Sequence, residues 1–253
     1  MKMHLLSGGR LRMRRRAYYP DAAPDETFDL PVSCALLKHA QGNVLFDTGC
    51  NPKAAADPQA YWGPITKAMT PIYEAQDAVV NQLPLAGLTA EDIDVVVCSH
   101  LHTDHCGCNG YFKRATVICH ADELAKARSP DAVAGGYLPA DWDHGQTYKT
   151  IASQHDVFGD GRFTLIPAPG HTVGMTIGHV VLDQDGAFVL ASDAVPVSEV
   201  LEKRYAPRGT WDVERSLTAL NEVARLQADG ATVLFGHDDA QWRSLKTGAA
   251  FYA

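Results

Sequence analysis

The stretch SHLHTDHCG, residues 99–107, places three histidines and one aspartate within six consecutive positions: His100, His102, Asp104 and His105. Holding four groups that bind protons or metal ions so close together costs free energy unless a ligand compensates for it. Imidazole and carboxylate are ligands that zinc prefers, and iron, manganese and cobalt accept a similar set. The stretch therefore predicts a metal site rather than four unrelated structural side chains.

The spacing within this stretch divides the four side chains between two neighbouring positions. His100 and His102 are two residues apart, so one turn lets both imidazoles converge on a single ion. Asp104 and His105 lie beyond that turn and can face a neighbouring ion. The preceding run DVVVCS (94–99) is apolar and rich in valine, which predicts a buried strand that ends where the cluster begins.

Other polar residues follow predicted strands in the same way. Four more apolar segments each end in an aspartate or a histidine. They are NVLFDTG (43–49) with Asp47, RFTLIPAPGHT (162–172) with His171, AFVLASDA (187–194) with Asp193, and ATVLFGHDD (231–239) with His237. The chain thus repeatedly presents metal-binding residue types at the ends of strands.

Helices alternate with strands in the rest of the pattern. We predict strands at 34–40, 114–120 and 176–183, and helices at 72–83, 121–128 and 211–230, the last stopped by Gly230. Residues 129–150 lack clear periodicity, and a loop of this length often covers a functional site. With no low-complexity linker, the pattern predicts one domain over residues 1–253 with an α/β fold, a four-layer αβ/βα sandwich that has its site at one edge.

Composition excludes several classes of function. The 253 residues are 46% hydrophobic and 21% charged, with a net charge of -8, which argues against nucleic acid as a partner. The basic run RLRMRRR (10–16) could bind an anion or a membrane surface, but a solvated strand or loop is favoured because acidic residues follow it. No stretch has the length of a membrane span, and the start lacks the apolar region of a signal peptide. We therefore expect a cytoplasmic protein with no membrane partner.

Six cysteines occur, but a disulfide framework belongs to small secreted chains. Cys34, Cys98 and Cys119 lie in apolar, strand-like runs, which predicts buried thiols. Cys106 and Cys108 adjoin the histidine cluster and could act as soft ligands. Small residues packed beneath the loop are the favoured interpretation of this pair.

The ordered set of motifs resembles the metallo-β-lactamase superfamily, from FDTG through the histidine cluster, PGHT and SDA to GHD. The resemblance spans about residues 44 to 238 and implies the fold of that superfamily. It implies two divalent metal ions, zinc being expected, which lower the pKa of a bound water to about 7 and so supply a nucleophile. The implied ligands are His100, His102 and His171 for one ion, Asp104, His105 and His237 for the other, and Asp193 between them. Asp47 would orient a ligand histidine.

Within the superfamily, the chain is similar to the N-acyl homoserine lactonases, which open the lactone ring of quorum-sensing signals. The segments that resemble the motifs of these enzymes are HLLSGGRL, SHLHTDHCGCNGYF, PAPGHTVGM and ASDAV. A 4-pyridoxolactonase-like enzyme with another small lactone or ester, and a phosphotriester or sulfate-ester hydrolase, remain as alternatives. The flavodiiron branch, which does redox chemistry, usually has glutamate where this chain has His102. The resemblance therefore implies hydrolysis, with Asp104 passing a proton to the leaving alkoxide.

One position departs from the pattern of these lactonases. Many carry a tyrosine three residues after the bridging aspartate, where its hydroxyl contacts the substrate, and this chain has Pro196 there. Either a metal alone polarises the carbonyl, or another tyrosine contacts the substrate, with Tyr137 and Tyr205 as candidates. The partner expected is a small-molecule lactone or ester, and the sequence leaves a homodimer open.

Overall fold

Twelve strands in the computed structural model, which describes residues 1–253, form two sheets. The strands are β1 (Lys2–Arg14), β2 (Thr27–His39), β3 (Gly42–Phe46), β4 (Met69–Pro71), β5 (Val95–Val97), β6 (Thr116–His120), β7 (Tyr148–Ile151), β8 (His155–Asp156), β9 (Phe163–Pro167), β10 (Thr176–Leu182), β11 (Gly186–Ser192) and β12 (Thr232–Phe235). The strand orders are β4-β1-β2-β3-β5-β6-β7 in the first sheet and β12-β11-β10-β9-β8 in the second.

Nine α-helices connect and cover these strands. They are α1 (Pro52–Ala56), α2 (Pro58–Trp62), α3 (Val79–Gln82), α4 (Thr103–Cys106), α5 (Ala121–Ala127), α6 (Pro139–Trp142), α7 (Ser198–Lys203), α8 (Val213–Ala228) and α9 (Asp239–Trp242). Only α8 is long, and Asp212 caps its start by accepting the backbone N–H of Arg215. None of the helices combines the length and the hydropathy that crossing a membrane would require.

Parallel neighbours in the two sheets bring the functional loops to one edge. β3 runs parallel to β5, and β5 runs parallel to β6. In the second sheet β11 runs parallel to β12, while β9, β10 and β11 pair antiparallel. The carboxyl ends of adjacent parallel strands lie side by side. The segments that follow β3 and β5, and those that follow β11 and β12, therefore begin next to each other.

The two sheets pack face to face through an apolar layer. Leu37 and Phe46 of the first sheet and Phe163 and Leu190 of the second belong to one cluster of 17 buried residues. A second cluster of 47 buried residues joins the other faces to the helices and includes Leu220 of α8. Side chains alternate between these clusters because successive residues of a strand face opposite sides. The predicted four-layer αβ/βα sandwich is confirmed.

A register shift in β1 fixes the loop that carries Asp47. Pairing of β1 with β2 shifts between Ser7 and Arg10. At this bulge Gly8 packs directly against Gly49, where an added Cβ would overlap the Gly8 Cα. The Gly8 carbonyl also accepts the Cys50 N–H at 2.8 Å. Because a side chain at Gly49 would clash with backbone, only glycine permits this approach.

Several local predictions differ from the structure. The helix predicted at 72–83 is wrong, since the segment forms a 3-10 turn at 75–77 and the short helix α3. The loop predicted at 129–150 contains a 3-10 turn at 132–135, α6 and the start of β7. Short apolar spacings and scattered prolines gave no clear period there. The basic run 10–16 covers the end of strand β1 and the start of a 3-10 turn at 15–17, and Arg12 pairs with Asp29 at 2.6 Å, as expected of a solvated strand or loop.

Candidate metal centre

The seven predicted ligands converge at the edge where the strands end. The cluster 100–105 follows β5 and enters α4, while the other three follow β9, β11 and β12. All seven are buried or half-buried, and they are His100, His102, Asp104, His105, His171, Asp193 and His237. Imidazole and carboxylate side chains from distant parts of the sequence therefore share a single small volume.

Three histidines form the first group, here called the histidine triad: His100, His102 and His171. Nδ1 of His102 lies 3.1 Å from Nε2 of His100 and 3.2 Å from Nε2 of His171. The three ligand atoms lie within 4.8 Å of one another, as required to share an ion. Nitrogen lone pairs this close would repel each other without a proton or a cation between them.

A second group, here called the mixed triad, consists of Asp104, His105 and His237. Nε2 of His105 lies 3.6 Å from Oδ2 of Asp104, and Nε2 of His237 lies 3.8 Å from the same oxygen. Their ligand atoms also lie within 4.8 Å of one another. Two nitrogens and one carboxylate oxygen form a donor set suited to a divalent ion of the zinc type.

Asp193 lies between the two triads. Its Oδ2 is 3.2 Å from Nε2 of His171, in the histidine triad. Its Oδ1 is 2.9 Å from Nε2 of His237 and 3.3 Å from Nε2 of His105, in the mixed triad. One carboxylate thus directs one oxygen to each triad, which is the geometry that a bridging ligand needs.

Hydrogen bonds on the far side of three rings fix their orientation. Nδ1 of His105 donates to Oδ2 of Asp47 at 2.9 Å, and Nδ1 of His237 donates to the Pro31 carbonyl at 2.8 Å. The Ser99 hydroxyl bonds to Asp47 Oδ2 at 2.8 Å and lies 2.9 Å from Nδ1 of His100. A proton held at Nδ1 leaves the Nε2 lone pair free toward the site. Asp47 therefore lies behind the His105 ring, on the side away from the triads.

Two non-glycine residues at the site have a left-handed backbone. Asp47 has φ of 59° and Ser192 has φ of 45°. Both side chains approach Nδ1 of His105, and the Ser192 hydroxyl also lies 3.1 Å from Oδ2 of Asp47. Such conformations cost about 1–3 kcal/mol each and persist where the surrounding structure enforces them. The strained pair supports one ligand ring from behind.

Titration behaviour separates the two triads. Burial lowers the pKa of His171 to about 4 and, with repulsion from neighbouring imidazoles, lowers the pKa of His100 well below its ordinary value. Burial also lowers the pKa of His105, but Asp193 and Asp104 outweigh it and raise that pKa well above its ordinary value. Neutral imidazoles in the histidine triad are ready to bind a cation. In the mixed triad the carboxylates attract positive charge.

Three buried atoms at the centre make no hydrogen bond, although two of them lie only 2.9 Å apart. They are Nε2 of His105, Nε2 of His237 and Oδ1 of Asp193. Buried polar atoms in folded proteins are nearly always satisfied, and a site for a bound ion is a standard reason for an exception. The orphaned atoms face one another across the mixed triad. The residues present therefore fit a resident metal at this position.

A buried carboxylate that no sequence motif indicated connects the two loops that carry the histidine triad. Glu123 of α5 is fully buried. One of its oxygens accepts the Leu101 N–H at 3.0 Å and the other accepts the Gly174 N–H at 3.0 Å. Leu101 lies between His100 and His102, and Gly174 follows His171 by three residues. Nothing in the pattern ADELAKAR distinguished this glutamate from a solvated helical one.

A second buried carboxylate lies beneath the cluster. Asp141 accepts the Thr103 hydroxyl at 2.6 Å and the Tyr61 hydroxyl at 2.7 Å. Burial raises the pKa of Asp141 to about 7. Thr103 lies between two predicted ligands, so this network positions the start of α4.

Both cysteines beside the cluster point away from the triads. The thiol of Cys106 lies 3.4 Å from the Leu101 carbonyl, and that of Cys108 lies 3.2 Å from the Cys50 carbonyl. Neither belongs to a group of metal-compatible side chains. Burial raises the pKa of both thiols, which keeps them protonated. They pack beneath the loop, as the favoured interpretation predicts.

An apolar cavity of about 720 Å³ opens onto the triads. Four of its lining residues are predicted ligands: His102, Asp104, His171 and Asp193. Most of the remaining wall is hydrophobic and comes from residues within 11–30, 62–69 and 133–138. It consists of Leu11, Met13, Leu30, Trp62, Pro64, Ile65, Ala68, Met69, Val133, Ala134 and Leu138, together with Gly135, Gly136 and Tyr18. Residues 133–138 belong to the loop that was expected to cover a site.

Neither tyrosine proposed from the sequence lines this cavity. Tyr137 is buried and packs edge-on against the His102 ring at 4.9 Å. The Tyr205 hydroxyl donates to the Tyr18 carbonyl at 2.6 Å. Pro196 is buried, and its carbonyl accepts the His237 N–H at 2.7 Å, so it fixes a ligand loop. The tyrosine that does line the cavity is Tyr18, which no motif indicated.

The four-layer sandwich and the two triads at its edge define the class. Residues 27–238 match the metallo-beta-lactamase superfamily, and the chain belongs to this superfamily. The resemblance stated from the motifs is thereby confirmed, together with the fold class.

Relatives within the superfamily point to one branch. The N-acyl homoserine lactonase AttM of Rhizobium johnstonii is 30% identical, over 100% of this chain and 99% of its own length. A mutant of AiiA from B. thuringiensis, solved with N-decanoyl-L-homoserine bound at the active site, has a TM-score of 0.89 and is 25% identical. An N-acyl homoserine lactone hydrolase with the product N-hexanoyl-L-homoserine at its catalytic metal centre has the same values. Each structural comparison covers 99% of this chain and 98% of the other.

Proposed function

We propose that this protein is a metal-dependent hydrolase that opens the lactone ring of N-acyl homoserine lactones, a quorum-quenching reaction. The observation that carries the proposal is the cavity itself, which has an apolar wall and a floor of histidine and aspartate side chains that could hold metal ions. The relatives named above support the same substrate class. Their similarity extends over nearly the whole of both chains.

The proposed cofactor is a pair of divalent ions, zinc by the chemistry of the donors. The histidine triad would hold one ion and the mixed triad the other, with Asp193 contributing to both. When bound, such ions lower the pKa of water from about 15.7 to about 7 and polarise a carbonyl group.

The chain's own residues supply proton transfer and orientation. Asp104 belongs to the mixed triad and also lines the cavity, so its carboxylate can reach a substrate. We assign it to take the proton released when water attacks the ring carbonyl and to deliver that proton to the departing ring oxygen. Proton transfer by a positioned group contributes about 10²–10⁴-fold to a rate. Asp47 and Ser99 hold the rings of His105 and His100 in place through Nδ1.

The apolar wall would take the acyl chain. Ligand sites for small molecules have volumes of roughly 300–1,000 Å³, and this cavity has about 720 Å³. Each buried methylene contributes about 0.8 kcal/mol. Longer acyl chains should therefore lower KM until Trp62, Ile65 and Met69 are covered.

A substrate panel tests the proposal. We expect hydrolysis of acyl homoserine lactones with short and long chains, with higher kcat/KM than for unsubstituted lactones or for p-nitrophenyl esters of carboxylate, phosphate and sulfate. The metal-stripped protein serves as the control. Preference for a phosphate or sulfate ester, or for a small lactone without an acyl chain, would replace the proposed substrate by one of these alternatives.

Isotope labelling tests the site of bond cleavage. Hydrolysis in H₂¹⁸O should place the label in the new carboxylate and none in the new alcohol, because water attacks the carbonyl carbon. Label in the alcohol would mean attack at the ring carbon that bears oxygen. That result would exclude acyl cleavage.

We further propose that the protein works in a reducing compartment, the cytoplasm. All six cysteines are free and buried. Free thiols persist where glutathione and thioredoxin keep them reduced. Fractionation of the native cells, with immunodetection of the protein, measures this directly.

A further inference from the structure

Tyr18 is a polar side chain in the cavity with no assigned role. Four of the other polar residues that line the cavity belong to the proposed metal site. The remaining one, Trp62, has its indole nitrogen fully buried and so out of reach of a substrate. Apart from the proposed metal site, Tyr18 is therefore the side chain in the cavity lining that can donate a hydrogen bond to a substrate.

Packing holds the Tyr18 ring beside the mixed triad. The ring stacks on His237, with centroids 5.9 Å apart and planes inclined by 13°. The Phe28 ring packs edge-on against the Tyr18 ring, with centroids 5.9 Å apart. Tyr18 is only 8% exposed, and its carbonyl is held by the Tyr205 hydroxyl. The phenol is thus fixed near the floor of the cavity rather than along the acyl wall.

An apolar acyl chain that fills the cavity would expel water from the Tyr18 hydroxyl. A buried hydroxyl without a partner costs about 1–3 kcal/mol, so the hydroxyl needs an acceptor in the occupied site. No protein group accepts it by hydrogen bond, while Asp193 and Asp104 lie in the same wall. A phenol is protonated at neutral pH and can donate.

We propose that the Tyr18 hydroxyl donates a hydrogen bond to an oxygen of the substrate's lactone group, which makes Tyr18 a catalytic residue. This inference rests on the proposed function. Negative charge develops on the carbonyl oxygen during attack and then on the ring oxygen as it leaves. A fixed donor at either atom stabilises that charge more than it stabilises the ground state.

The test separates the hydroxyl from the ring. Tyr18→Phe keeps the stack on His237 and removes only the donor, and Tyr19→Phe, the half-buried neighbour outside the cavity lining, is the matched control. We expect Tyr18→Phe to lower kcat by about 10²–10³-fold, with full metal content and little change in KM. Tyr19→Phe should behave as wild type.

A binding measurement supplies a readout independent of turnover. Calorimetric titration with the ring-opened product N-hexanoyl-L-homoserine should show weaker binding to Tyr18→Phe than to wild type. Unchanged kcat and unchanged product binding in Tyr18→Phe, with wild type active on the lactones, would overturn the role of Tyr18 and leave the proposed function standing. Loss of metal in Tyr18→Phe would also overturn it, because the effect would then act through His237.

Inactivity of the wild type on acyl homoserine lactones would instead refute the proposed substrate. The same pair of variants is then compared on whichever lactone or ester the wild type hydrolyses best. Unchanged kcat in Tyr18→Phe on that substrate overturns the inference. A selective loss there supports it.

Discussion

Replacing Glu123 by glutamine should loosen the connection between the loops that carry the histidine triad. The carboxylate accepts the Leu101 N–H with one oxygen and the Gly174 N–H with the other, each at 3.0 Å. Glutamine has one carbonyl oxygen and one NH₂ group. One of the two backbone N–H groups must then face another donor, in a place that water does not reach.

The magnitude follows from the lost bond. A hydrogen bond to a charged group contributes about 1.5–3 kcal/mol, and 1 kcal/mol shifts the Tm of a protein with this number of residues by about 2–4 °C. We therefore expect Tm to fall by about 3–12 °C. Disturbing groups that orient metal ligands typically costs about 10–100-fold in metal affinity. The loss should affect the ion held by the histidine triad.

Calorimetry of the metal-loaded protein and competition with a chelator measure these two effects. Asp122→Asn is the matched control, because Asp122 precedes Glu123 on α5 and its side chain is 66% exposed. The control should keep both the Tm and the metal affinity of wild type. If Glu123→Gln matched the control in both measurements, the inference that Glu123 ties the ligand loops together would be refuted.

Asp104, Asp141 and the cysteines beside the cluster can each be tested by a single substitution. Asp104→Asn should lower kcat by about 10²–10⁴-fold, and metal analysis of the same sample must show that the ions are retained. Burial raises the pKa of Asp141 from its ordinary value of 3.8 to about 7, so between these two pH values the folded protein holds a proton that the unfolded chain has lost. The free energy of unfolding of wild type therefore falls as pH rises through this window. In denaturant titrations from pH 5 to 8, the free energy of unfolding of Asp141→Asn should therefore rise relative to that of wild type. Asp131→Asn is the control and should show no such trend, because the exposed carboxylate of Asp131 has a pKa of about 2. Cys106→Ser and Cys108→Ala should lower stability more than kcat, and loss of one metal equivalent in either variant would make that cysteine a ligand.

The sequence could predict that the histidines and aspartates of the two triads gather at one edge because these residues follow strands. Strand β5 is a plain run of valines, and the polar cluster begins immediately after it. The same holds for Asp193 after β11 and for His237 after β12, which run parallel to each other. Strand ends are visible in a pattern of apolar residues, and parallel pairing then brings them to one edge.

The residues that support the centre could not be predicted in this way. The roles of Glu123 and Ser192 depend on partners far along the chain, and neither has a distinctive neighbourhood in sequence. Tyr18 lies in a basic segment before β2 and meets His237 only through the packing of the two sheets. The helix expected at 72–83 failed for the opposite reason, since local spacing suggested one helix, whereas the extended backbone of Ala78 separates a 3-10 turn from the short helix α3.

The number of metal ions that each chain binds decides whether the centre holds two ions or one. Protein purified without chelator, or reconstituted with zinc, should contain about two equivalents of metal by elemental analysis, one for each triad. Activity should rise until the second equivalent is bound, and Asp193→Asn should lose metal and activity together because its oxygens face both triads. Saturation of both metal content and activity at one equivalent would contradict the two-ion centre.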